Sequence, residues 1–267
     1  MPIEVTFCVT SYNRKNKLKN CIESFLQTTT FPKDKLEIVL VDNGSNDFET
    51  IDYVKSLNIQ EVASFQKIIN EKNDYPYCLR RAKNQARAIA KGKYFIDCPD
   101  DHIFVVRSGW IQETIDYLNY EHENISCVCH YAYPRYRFSK ANNFMIQSSV
   151  NQDFFVSQLK GYADYHLMKK DVYDDIGKYD ETLGFSPNSE SEYMDRSYQK
   201  GYRRALRRYP VSVIVDDNFF GKSKYCSLNF ALSEDTVKSC GVNNRPVSCE
   251  ELIRLCLEMK ALEVLNE

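Results

Sequence analysis

Asp100 and Asp101 are adjacent carboxylates that follow a short aromatic run, Tyr94-Phe95-Ile96, by only a few residues. Bounded by Gly92 and Pro99, the run reads as a buried strand. Pro99 fixes its own φ and drives Cys98 towards extended backbone, so the two acids fall in a loop just past the strand's carboxyl end. In an open α/β sheet, that is where ligands bind. Neighbouring carboxylates in apolar surroundings repel, and a cation between them relieves the repulsion; oxygen donors select a hard one, Mg²⁺ or Mn²⁺. The bland alternative for the pair is a solvated turn. Further polar groups cluster after other apolar runs: Thr10-Ser11-Tyr12-Asn13-Arg14, and Asp42-Asn43-Gly44-Ser45-Asn46-Asp47. Two more acids, Glu190 and Glu192, open a helical stretch, where carboxylates also favour the helix dipole without any chemistry.

The elements that must carry these residues alternate. Ile3 to Val9 is an apolar run of strand length, followed by Leu18, Cys21, Ile22, Phe25 and Leu26 at helical spacing and by a second run, Leu36 to Val41. Strand, helix, strand over this length is a right-handed βαβ unit, which delivers the loops after both strands to one sheet edge. Phe65 to Ile69 gives a third strand, and Leu79, Ala82, Ala86, Ile89 and Ala90 a helix face leading into the Tyr94 strand. Trp110, Ile111, Thr114, Ile115 and Leu118 give another helix, its Trp110 in the core, and Ile125 to Cys129 a strand. From Tyr131 to Phe155 the periodicity fades among aromatics and Arg135, Arg137 and Lys140; this reads as an irregular segment, lining a substrate cleft or packed on its own rings. Regular structure returns with His166 to Lys169, a short helix to Gly177, a helix from Glu190 to Lys200 stopped by Gly201, a strand from Val211 to Val215, and a C-terminal helix capped by Ser248 and Glu251.

Bulk properties remove several classes. With 35 basic and 37 acidic residues among 267, the net charge is −2, which asks for neither nucleic acid nor an anionic surface as main partner. Ten cysteines are scattered through apolar runs without Cys-x-x-Cys spacing, as expected of reduced core thiols in a cytoplasmic protein. His102, His130 and His166 lack partner spacing and read as packing or polar contacts. No stretch reaches the roughly 18 apolar residues of a membrane span. No Gly-x-Gly-x-x-Gly or Gly-Lys-Ser/Thr follows the first strand, which disfavours a dinucleotide oxidoreductase and a P-loop enzyme.

Four segments, in order, resemble family 2 glycosyltransferases. They are Val9 to Arg14, Val41 to Asp47, Ala82-Lys83-Asn84 through Tyr94 with Asp100-Asp101, and Ile176 to Glu181 followed by Ser189-Glu190-Ser191-Glu192 and Arg196 to Gly201. The resemblance implies a GT-A fold: a Rossmann-like mixed α/β sheet flanked by helices, continuous with an acceptor-binding half. It implies a nucleotide-sugar-binding half over residues 1–130, an acceptor-binding and catalytic-base half over 131–230, and a C-terminal helical extension over 231–267.

The implied activity is inverting transfer of a sugar from a nucleotide-diphosphate donor, with uridine the usual base, to a hydroxyl of a glycan or of a lipid- or protein-linked acceptor. By the same resemblance, Thr10, Tyr12 and Asp42 match positions that hold the base, and Arg14 and Lys83 positions where cations face the diphosphate. Asp100 stands towards the sugar or ribose, Asp101 at the Mn²⁺ or Mg²⁺ position, and Glu190 at the place of the general base, with Glu192 half a turn away as the substitute. Two departures from the family pattern stand out. Ser189 precedes Glu190 where an acid is usual, and Asp217 or Asn218 stands near the place of a metal-touching histidine. Peripheral membrane contact stays open, as does oligomeric state. Competing readings are a sugar nucleotidyltransferase, whose Gly-rich loop after the first strand is absent here, and a non-catalytic nucleotide-sugar or glycan-binding module.

Overall fold

All seven residues of β1 (Val5–Ser11) and all seven of β2 (Leu36–Asp42) are buried. Strands covered on both faces belong at the centre of a parallel sheet. The computed structural model describes residues 2–73, 78–104, 109–120, 124–130, 145–147, 154–157, 165–183, 189–207 and 211–214. Within them, β3 (Ser64–Ile69), β2, β1 and β4 (Tyr94–Pro99) run parallel in that spatial order. Ser11 pairs with Asp42, and Thr10 pairs with both Val41 and Pro99. The ends of the three strands are therefore level, and their polar loops leave from one edge. Helices α1 (Lys15–Thr28), α2 (Phe48–Ser56) and α3 (Cys78–Ile89) make the crossovers.

Beyond β4 the sheet continues through β9 (Tyr165–Lys169), β6 (Ile125–His130), β10 (Arg203–Arg207), β8 (Phe154–Ser157) and β7 (Met145–Gln147), nine strands in all. β9 is antiparallel to both β4 and β6, while β10 is parallel to β6 and antiparallel to β8. A two-stranded ribbon pairs β5 (His102–Phe104) with β11 (Ser212–Ile214). Helices α4 (Trp110–Tyr120), α5 (Lys170–Ile176) and α6 (Ser189–Gln199) complete the layers. The mixed sheet flanked by helices agrees with the expected class and takes strands from both sides of residue 130.

Each face of the sheet has its own core. On one, Phe7 stacks on Phe25 (centroids 4.0 Å apart), and Trp110, fully buried, stacks on Phe104 and meets the edge of His130. On the other, α3 lies on the sheet through the small side chains of Ala82 and Ala86, beside Phe95, Met168, Tyr173, Tyr179 and Tyr193. A buried carboxylate in β2, Glu37, is satisfied by Thr6 Oγ1 (2.7 Å), Gln66 Nε2 (2.8 Å) and the Lys91 amide (2.7 Å), as burial of a charge requires.

Two differences from the sequence reading have physical reasons. Helix α2 is too short for its periodicity to register, though Asp47 caps it by accepting from the Thr50 amide at 2.8 Å. The segment read as irregular, Tyr131 to Phe155, holds β7 and the start of β8 at the sheet's far edge; Phe154 and Val156 alternate inward over only four residues, too few to stand out. The rest of that segment, Val215 to Asn218 and the C-terminal helix lie outside the described residues. No described helix is long and apolar enough to cross a membrane.

Candidate active site

The polar loops after β1, β2 and β4 are bonded into one cradle. The Ser11 carbonyl accepts from the Asn43 amide (2.8 Å), and the Ser11 hydroxyl donates to Asp100 Oδ2 (2.7 Å). Asn13, in left-handed backbone at φ 52, donates its amide to Ser45 Oγ (2.9 Å) and pairs its side chain with Asn46, accepting from that amide at 2.8 Å. Asn is among the few residues that tolerate such a conformation. Asp42, 1% exposed, accepts from the amide and the hydroxyl of Ser45. Gly44, at φ 78, packs so closely on the next loop that a Cβ would stand 2.1 Å from the Lys72 carbonyl carbon. Thr10 is buried between β2 and β4, and Tyr12 at the rim is 38% exposed.

The cations and carboxylates fall into two groups. Arg14 Nη1 lies 3.2 Å from Asp100 Oδ1, so both oxygens of Asp100 are engaged. Burial pushes the Asp100 carboxyl up to about 6 against the pull of Arg14 and Ser11, and Asp101 adds to the rise. Lys83 Nζ instead lies 3.8 Å from Asp97 Oδ2 and 5.5 Å from the Tyr179 ring centre. Arg87 Nη2 donates to the same Asp97 oxygen at 2.7 Å. Burial alone would raise Asp97, yet Lys83, Arg87 and His166 bring it down to about 2. The two expected diphosphate cations thus face different carboxylates: Arg14 faces Asp100, and Lys83 faces Asp97.

Asp101 differs from its neighbour. Its Oδ1 is buried, accepts no hydrogen bond and lies 3.7 Å from His102 Nε2. Among the described residues, no group of three or more His, Cys, Asp or Glu could hold an ion. One carboxylate oxygen with few protein ligands nonetheless fits Mg²⁺ or Mn²⁺, which keep waters and take substrate phosphates as ligands.

Glu190 stands in the first turn of α6, its side chain outside what is described; Glu192 pairs with Arg196. Arg196 also donates to the carbonyls of Ile176 (2.8 Å) and Lys178 (2.7 Å). From the other side, Asn84 on α3 brackets Tyr179, donating to its carbonyl at 2.9 Å and accepting from its amide at 3.0 Å. Arg80 donates to the Asp180 carbonyl at 2.6 Å. The turn after α5 therefore joins α3 to α6.

Sequence reasoning missed Asn13, Arg87 and the part played by Asp97. A signal existed for the last two. A carboxylate inside an apolar strand demands buried counter-charge, and Lys83 and Arg87 stand one helical turn apart on the preceding helix.

Comparison with known proteins follows the same lines. The model of the family described as Glycosyl transferase family 2 matches residues 6–179, more than half of the chain. No curated protein sequence matches. Among solved structures, S. aureus TarS 1-349 superposes at TM-score 0.60 with 15% identity, covering 82% of this chain and 62% of that one. The mannosyltransferase PcManGT from Pyrobaculum calidifontis, in complex with GDP-Man and Mn²⁺, superposes at TM-score 0.58 with 16% identity over 81% of this chain and 59% of that one. GalNAc-T7 with UDP, GalNAc and Mn²⁺ gives TM-score 0.56, 15% identity, and coverage of 80% and 43%. The chain spans less than two thirds of each of these structures. They share its GT-A fold, and the sequence match shows the family: this chain belongs to glycosyl transferase family 2.

Proposed function

We propose that the chain transfers a sugar, with inversion, from a nucleoside-diphosphate donor to a hydroxyl of a glycan or of a lipid- or protein-linked acceptor. The observation that carries this reading is the cradle at the sheet's carboxyl edge, where the β1, β2 and β4 loops are cross-bonded and Asp101 Oδ1 is left without a hydrogen bond. Asp42, Thr10 and Tyr12 would hold the base, with uracil favoured by the family resemblance. Arg14, oriented by Asp100, would place its charge beside the diphosphate.

In the reaction, the acceptor oxygen bonds to the anomeric carbon as that carbon's bond to the β-phosphate oxygen breaks. The electron pair leaves on the nucleoside diphosphate, and the acceptor proton passes to a carboxylate. Glu190 is assigned this base role, because Glu192 is committed to Arg196. Asp101 would hold Mn²⁺ or Mg²⁺, which when bound offsets the growing charge of the leaving group as a Lewis acid. TarS has been solved with UDP and with UDP-GlcNAc, and PcManGT with GDP-Man and Mn²⁺, which supports a nucleotide-sugar donor and a divalent cation here.

A thermal-shift panel of UDP, GDP, CMP and ADP, each with and without Mn²⁺, tests the reading. A nucleotide at about 100 times its Kd stabilises by about 2.7 kcal/mol, or about 5–10 °C for a chain of this size. The expected result is a shift for one nucleotide that needs Mn²⁺ and is lost in Asp101→Ala. No shift with any nucleotide overturns it.

A further inference from the structure

Arg87 is buried beneath the sheet, and the transfer chemistry just described does not use it. It is 2% exposed. A single nitrogen, Nη2, meets Asp97 Oδ2 at 2.7 Å, His166 Nε2 at 3.1 Å and the Tyr179 hydroxyl at 3.3 Å. Its Nε and Nη1 make no hydrogen bond; the guanidinium lies instead in a cage of rings, 4.5 Å from the centre of Tyr173, 4.8 Å from Tyr179 and 5.6 Å from Tyr193. These partners come from two strands, two helices and the turn between those helices. Asp97 is on β4, four residues before Asp101; His166 is on β9; Tyr173 and Tyr179 flank the turn after α5; Tyr193 is on α6.

We propose that Arg87 is a positioning residue that fixes the catalytic-base helix against the donor-binding strand, acting through the face of Tyr193. The proposal rests on the glycosyl-transfer reading. Tyr193 follows Glu190 by three residues, so the two share a helix face one turn apart. Whatever holds Tyr193 sets where the base stands. The same guanidinium grips Asp97, whose strand runs on to the Asp101 loop. Arg87 thus ties the strand that leads to Asp101 to the helix that carries Glu190. A buried ion pair is a poor source of stability compared with apolar packing, whereas an arginine held by one carboxylate and three ring faces fixes direction. Arg196, 5.2 Å from the Tyr193 ring on its other contacts with the α5 turn, keeps the helix from rotating about that point.

The test compares Tyr193→Phe, which keeps the ring, with Tyr193→Leu, which removes it. Arg87→Met strands a buried carboxylate, so the charge-balanced double variant Arg87→Met/Asp97→Asn accompanies them. Two readouts are taken: the ratio of sugar transfer to donor hydrolysis with its kcat and donor KM, and amide hydrogen exchange across Ser189–Gln199. Misplacing a reacting group by about 1 Å costs about a hundredfold. Tyr193→Leu and the double variant should lose tenfold or more in kcat for transfer with donor KM and hydrolysis little changed, and exchange faster in Ser189–Gln199 while β1–β4 stay protected. Tyr193→Phe should match the parent in both readouts. Wild-type exchange in Ser189–Gln199 for Tyr193→Leu and the double variant, or a parallel fall of transfer and hydrolysis, overturns the proposal. An unaltered parent that transfers from no donor instead overturns the glycosyl-transfer reading, and the exchange data still decide whether Arg87 anchors the helix.

Discussion

At the scale of single residues, the acids separate by what already holds them. Asp100 is held by Ser11 and Arg14, Asp97 by Arg87 and Lys83, and Glu192 by Arg196. Glu190→Gln should therefore lower transfer by about 10²–10⁴-fold, the usual worth of a general base, without reducing the nucleotide-dependent thermal shift; steady-state rates and the shift assay check it. Glu192→Gln keeps a hydrogen-bonding partner for Arg196 and should cost less than tenfold in the same assay. Asp100 and Asp101 stood out in the sequence because two adjacent carboxylates follow an apolar strand that ends at Pro99, the edge at which open α/β sheets bind ligands. Which oxygen was spent on which cation was not legible, because that depends on Arg14 and Asp100 meeting across a separation that only the fold closes.

At the scale of elements, the loop between β2 and α2 is the tightest part of the site. Gly44 sits in left-handed backbone against Lys72, and Asn73 Nδ2 bonds the Asn43 carbonyl at 2.8 Å. Gly44→Ala adds about 1–2 kcal/mol of left-handed strain to a collision with backbone that has no flexible end to move. A loss of at least about 3 kcal/mol should appear as a fall of about 6–12 °C in Tm, together with weaker nucleotide binding, by calorimetry and the shift assay. Long periodic elements such as α1, α3 and the buried strands were legible from hydrophobic spacing alone. The strand of β11 was read over Val211 to Val215, but its pairing with β5 was not legible, and neither were β5, β10 and the edge strands β7 and β8, because three to five residues carry little pattern and their pairing is decided by distant partners.

At the scale of the whole molecule, buried histidines make the fold sensitive to acid. Burial drives His166 down to about 3, with Arg87 and Lys83 adding to the effect against the pull of Asp97, and His130 is likewise depressed by burial and by Arg207. Arg87 only donates, so His166 Nε2 accepts and the neutral ring carries its proton on Nδ1. Between pH 6.5 and 3 the unfolded chain binds protons that the folded chain refuses, so stability falls as pH falls, by about 1.4 kcal/mol per pH unit for each histidine fully refused. Asp97, depressed to about 2, adds a further loss below about pH 4. Asp100, raised to about 6, works the other way between pH 6 and 4 and offsets roughly one histidine, so denaturant titrations from pH 7 to 4 should show a midpoint that still falls, and His166→Gln should flatten it. The α/β class was legible because βαβ alternation leaves few ways to order the strands. The seam at β9 was not, since nothing local in Tyr165–Lys169 says that it will run against both neighbours. That seam governs how the chain can be built during synthesis. Until residues 165–169 leave the ribosome, β4 has one unpaired edge and β6 two, and the second edge of β6 waits for β10 at 203–207. A nascent chain stalled or cut before that strand exposes all of these edges at once, so chaperone protection should count most from the emergence of β6 until β9 and then β10 cover it.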